Sequence, residues 1–99
     1  MKLSDLVEKS AIPLLEVEVV SWEEVVSYGE GGKMWPITVK DSSGVEAKLK
    51  LFGAQIDANA GKIEIGSKLR ILKGWCSKIY EGKAEISTGK YGELFVMKE

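Results

Sequence analysis

The sequence predicts an all-β fold, a small closed barrel of five strands, on three observations. Apolar and polar residues alternate with period two in five separate segments. Turn-forming clusters at residues 27–33 and 41–44 punctuate them. A stretch without strand rhythm, residues 53–66, falls between the third and fourth segments and suits a short helix or an irregular connector. The chain has 99 residues, enough for one core and too few for two, so residues 1–99 read as a single domain with residues 1–13 as an N-terminal lead-in.

Each element has a local reason. Ser4 is a candidate N-cap with Asp5 and Glu8 after it and Pro13 beyond, which predicts a short helix or turn over residues 4–10. Residues 14–26 form a long first strand, with Leu15, Val17 and Val19 on one side and Glu16 and Glu18 on the other. It runs into a loop containing Gly29, Gly31 and Gly32. The second strand, residues 34–40, turns Ile37 and Val39 inward and Thr38 and Lys40 outward, and Asp41-Ser42-Ser43-Gly44 ends it in a compact turn. In the third, Val45, Ala47, Leu49 and Leu51 take the core face, so Glu46, Lys48, Lys50 and Phe52 share the opposite one. The fourth strand, residues 68–77, places Leu69 and Ile71 inward and Arg70 outward. Continuing that parity would bury Lys73, so a bulge is expected near Gly74. A loop at residues 78–82 leads to a fifth strand, where Ala84 and Ile86 alternate with Lys83, Glu85 and Ser87, and residues 91–97 suit a short terminal strand. The long first strand and the connector between strands three and four fit the five-stranded Greek-key barrel called the OB-fold. An SH3-like barrel is the structural alternative, but it has no need of so long a connector.

Composition excludes much chemistry. Hydrophobic residues make up 44% and charged residues 29%, as in ordinary soluble proteins, and no apolar run approaches the roughly 20 residues of a membrane helix. The start lacks an apolar export core and a small-residue cleavage site, so an intracellular location is expected. A single cysteine, Cys76, excludes an internal disulfide and a cysteine zinc site, and the absence of histidine removes the commonest general base and metal ligand. No cofactor or metal is expected. The net charge of −1 hides a division: residues 1–32 carry −5 and residues 33–90 carry +5.

The remaining candidates for catalysis fail on chemistry. The Gly29 to Lys33 cluster lacks the spacing, the hydroxyl residue and the following helix of a phosphate loop. Glu16 with Glu18, and Glu23 with Glu24, lie on a strand whose other face is apolar, where solvated side chains are the simpler account. Cys76 has no base to activate it. An enzyme is not expected. Aromatic and basic residues remain. Parity puts Phe52 beside Lys48 and Lys50 on an outward face, and Trp75 and Tyr80 stand among Lys73, Lys78 and Lys83. Single-stranded nucleic acids are held by this mixture, cations following the phosphates and rings stacking on bases. Trp35 shares the parity of Ile37 and Val39 and suits the core as well as a ligand face; Trp22 and Tyr28 are expected to pack.

Residues 39–92 resemble the single-stranded DNA-binding OB-folds of replication protein A, and most closely the compact archaeal single-stranded DNA-binding proteins. The resemblance rests on Asp41-Ser42-Ser43-Gly44, Lys48-Leu49-Lys50-Leu51-Phe52, Gly66-Ser67-Lys68-Leu69-Arg70-Ile71, Gly74-Trp75-Cys76-Ser77, Tyr80-Glu81-Gly82-Lys83 and Ser87-Thr88-Gly89, with Lys2-Leu3-Ser4-Asp5-Leu6 as the lead-in. It implies single-stranded DNA as partner, bound with little sequence preference, and base stacking by Phe52, Trp75 and Tyr80. The third-strand ring is Phe where the family usually has Trp, and one extra residue before the loop ring makes Ile79 a rival to Tyr80. Lys33, Lys48, Lys50, Arg70, Lys73, Lys78 and Lys83 are the candidate phosphate contacts. The alternatives are a protein-interaction OB-fold that scaffolds other replication or repair proteins, favoured by the acidic first third, and an RNA-binding OB-fold.

Overall fold

A strand that alternates can bury only one face, and five such faces hide one another by closing into a ring. The computed structural model describes residues 3–29, 31–59, 61–88 and 92–97. A 3₁₀ turn, Leu3–Asp5, precedes β1 (Ser10–Trp22), β2 (Val26–Tyr28), β3 (Gly32–Lys40), β4 (Glu46–Phe52), helix α1 (Ala54–Asn59), β5 (Lys68–Tyr80), β6 (Lys83–Ser87) and β7 (Glu93–Met97). Antiparallel pairing joins β1 to β3, β3 to β4, β6 to β5 and β5 to β1, and a parallel seam between β4 and β6 closes the ring. This is the expected five-stranded all-β barrel, with α1 in the connector. Two short strands add to it: β2 pairs with β3, and β7 with the first half of β5.

The register stacks the core in layers. Ile37, Leu49, Ile86 and Cys76 lie opposite one another on four adjoining strands, each at most 1% exposed. Burial, with Glu8 nearby, pushes the Cys76 thiol up, which makes it a packed apolar group rather than a nucleophile. Trp35 joins this core, its indole N–H donating to the Glu23 carbonyl at 2.9 Å.

Several boundaries differ from expectation. β1 starts at Ser10 and ends at Trp22, so Pro13 lies inside a strand that its ring was expected to delimit. The register of β1 on β3 slips between Val19 and Ser21, which brings Trp22 opposite Ile37. There it meets Trp35 edge to face, centroids 5.9 Å apart, while remaining partly exposed. Tyr28 is also exposed; its ring occupies the space a side chain on Gly32 would need.

The parity change expected near Gly74 occurs at Lys73. Leu69 and Ile71 face in, then Gly74 and Cys76 do, and Lys73 takes a left-handed backbone with φ 54°. No register shift accompanies it on the β1 side, because β1 changes parity opposite, at Pro13, between buried Ile12 and buried Leu15. Pro13 has no amide hydrogen to leave unpaired there. The register-shifting bulge lies farther on, between Cys76 and Lys78 against β6. Gly74 itself is forced: a Cβ would sit 2.9 Å from the Ile71 side chain and 3.1 Å from the Ser87 carbonyl.

The turn after β3 anchors the start of the chain. The Leu3 and Ser43 amides donate to the two Asp41 carboxylate oxygens at 2.7 and 2.9 Å, and the Ser43 hydroxyl donates to the second. Burial pushes this carboxyl up, but the Ser43 hydroxyl and the backbone groups of Leu3, Ser43 and Val45 outweigh burial and hold it below its ordinary value of 3.8. The folded state therefore favours the ionised form. Its contribution is complete above the ordinary carboxylate pKa and is lost as pH falls through the lower, folded value. Asp41→Asn is expected to lower stability by about 1–3 kcal/mol at neutral pH, with the gap to the native sequence closing below about pH 4 in urea melts.

Candidate nucleic-acid interface

The parallel seam assembles the surface that local sequence only suggests. On β4, Phe52, Lys50 and Lys48 point away from the core; across the seam Lys50 lies opposite Ser87 and Lys48 opposite Glu85. On the far side of β6, Ser87 lies opposite Trp75, Glu85 opposite Lys78 and Lys83 opposite Tyr80. The outward residues of β4, β6 and β5 thus form one face. Trp75 stands two strand spacings, roughly 10 Å, from the column that carries Lys50 and Phe52.

All three candidate rings are exposed: Phe52 by 43%, Trp75 by 40% and Tyr80 by 67%. Tyr80 lies at the end of β5 and not in a loop, because the expected loop at residues 78–82 contracts to Glu81 and Gly82. Both have positive φ, 50° and 79°, the two-residue type I′ geometry that matches strand twist. Ile79 lies opposite buried Ala84 and packs on the core, so of the two it is Tyr80 that points outward.

The cations of this face are mostly tethered. Lys50 reaches Glu85 at 3.2 Å, Lys48 reaches Glu23 at 4.0 Å and Lys83 reaches Glu46 at 4.0 Å. The last two pairs are exposed and contribute little, whereas Lys50 and Glu85 are about three-quarters covered. Lys78 makes no ion pair with a described residue. A depression of about 240 Å³ lies between Tyr80, Lys48, Lys83 and Glu85.

Three of the expected cations lie elsewhere. Arg70 faces outward on the opposite side of the barrel, between Glu16 of β1 and Phe95 of β7, and pairs with Glu16 at 3.5 Å. Lys33 falls on the parity of Trp35, opposite to that of Met34 and Phe52, within the β2–β3 hairpin. Lys73 occupies the parity change, exposed and two residues before Trp75. Among the described residues no group of three or more acidic, cysteine or histidine side chains is placed to hold a metal, and no helix is long and apolar enough to cross a membrane. Glu85 is the member of this face that sequence reasoning left out. Its outward parity was legible, but its place among Lys48, Lys50 and Lys78 depends on the seam.

No family model matches the sequence, and no curated protein matches it. Solved structures do. A replication factor A-related protein from Methanobacterium thermoautotrophicum superposes with a TM-score of 0.82 over 98% of this chain and 89% of its own, at 18% identity. A replication protein A heterotrimer bound to single-stranded DNA gives 0.78 over 100% of this chain and 25% of the matched one, at 14% identity. Schizosaccharomyces pombe Pot1pC bound to single-stranded DNA gives 0.67 over 100% and 86%, at 11% identity. At such identities the likeness is one of architecture, and the architecture it establishes for this chain is the OB-fold.

Proposed function

We propose that residues 1–99 act as one non-catalytic module that binds single-stranded DNA on the β4–β6–β5 face. Phe52, Trp75 and Tyr80 stack bases, and Lys48, Lys50, Lys78 and Lys83 meet phosphates, with Lys73 at the margin. The observation that carries the reading is that three large rings stand exposed on one face in register with four ammonium groups. A stacked base contributes about 1–3 kcal/mol, so the rings outweigh the lysines, three of which already hold a glutamate. Two of the similar structures, the replication protein A heterotrimer and Pot1pC, are complexes with single-stranded DNA, which supports the same reading.

Titration of tryptophan emission with a dT oligomer tests it. Quenching is expected at low salt, and the logarithm of the binding constant should fall against that of salt with a slope no steeper than about −3.5, since the four lysines of the face and Lys73 capture at most five phosphates. A second reading, a scaffold that docks other proteins, draws on the same ion pairs, which leave the face close to neutral. A folded chain whose emission no oligomer changes would favour it. Stronger binding of a matched RNA strand would move the assignment to RNA.

A further inference from the structure

A carboxylate in the middle of a surface offered to polyanions is out of place if phosphate capture is the only task. Glu85 is such a group. It lies opposite Lys48 and Lys78 in the register, one outward position from Ser87 beside Trp75 and one from Lys83 beside Tyr80. It is also held. Its Oε2 accepts from Lys50 at 3.2 Å, and its backbone carbonyl accepts from the Ser77 hydroxyl, at the β5 bulge, at 3.2 Å. The lysine uses one site of a group that offers about four, and Oε1 has no described partner. Glu85 lines the depression next to Tyr80, whose 240 Å³ is below the roughly 300–1,000 Å³ of pockets that take whole drug-sized ligands. That is the scale of a single base.

Resting on the binding reading above, we infer that Glu85 is a specificity-determining residue that accepts a hydrogen bond from the exocyclic amine of a base seated on Tyr80. Carboxylates pair with the cytosine N4 amine for the reason that they only accept. Thymine offers a carbonyl oxygen at the equivalent position, and two acceptors repel. The face therefore discriminates against thymine at this one position while remaining tolerant elsewhere, and the Lys50 ammonium at 3.2 Å keeps the carboxylate aimed. Glu85 does not serve as a phosphate ligand; it sets which base is accepted.

Competition between dC and dT oligomers of equal length, with the native chain, Glu85→Gln and Glu85→Ala, tests the assignment. Far-UV circular dichroism confirms that each variant is folded. Stacking and backbone flexibility differ between the two oligomers, so the readout is the change in the ratio of their dissociation constants. Glu85→Ala is expected to lower affinity for dC relative to dT by roughly tenfold, with dT affinity unchanged or raised, and Glu85→Gln should fall between, since an amide still accepts. Equal strengthening of both oligomers, the signature of simple charge relief at Lys50, would overturn the inference and leave the binding face intact. Failure of the folded native chain to bind either oligomer would overturn the binding reading and this inference together.

Discussion

Replacing Trp75 with alanine is expected to weaken binding of a dT oligomer by about 1–3 kcal/mol, about five- to 150-fold. The indole is 40% exposed and lies between Ala11 of β1 and Ser87 of β6, so its removal vacates surface and opens no cavity in the core. Trp22 and Trp35 remain as a paired reporter of folding in the same sample. Unchanged emission from that pair with weakened binding is the expected combination. A folded variant that binds as tightly as the native chain would place the stacking platform elsewhere.

The largest effect on stability is expected at Leu49. It is fully buried, opposite Ile37 on one side and Ile86 across the seam. Leu49→Ala removes its contacts and leaves a void that rigid strands cannot collapse around, at a cost of about 2–5 kcal/mol. That is a large part of the roughly 5–15 kcal/mol available to a domain of this kind. Urea denaturation should show a lower midpoint with an unchanged slope. Under conditions where the variant is folded, its affinity for DNA should equal that of the native chain, because Leu49 points away from Phe52, Lys48 and Lys50.

Strand alternation made β3, β4 and β6 legible, since each buries one face continuously. Pro13 misled because a proline reads as a boundary, whereas here it stands where Lys73 opposite has left the extended conformation and no amide is needed. Arg70 and Lys50 were both correctly outward, but the outside of a closed barrel curves round on itself. Parity tells inside from outside and not which side of the ring a residue occupies, which is why Arg70 sits with Glu16 and Lys50 with Glu85. Tyr80 points outward as expected although its loop became a strand, because Glu81 and Gly82 suffice to reverse the chain. The β4–β6 pairing has no local signature at all, and Glu85 was overlooked with it.

That pairing has a temporal consequence. Lys50 and Glu85 are 35 residues apart in the chain, so they meet only after most of it has been synthesised and has collapsed. A growing polypeptide that stops short of β6 already possesses Phe52 and its neighbouring lysines but has no groove between them and Trp75. Competence to capture a ligand should therefore arise in a single late event, together with the last hydrogen bonds of the ring, and truncations from the C-terminal side should abolish it at a threshold instead of eroding it by degrees.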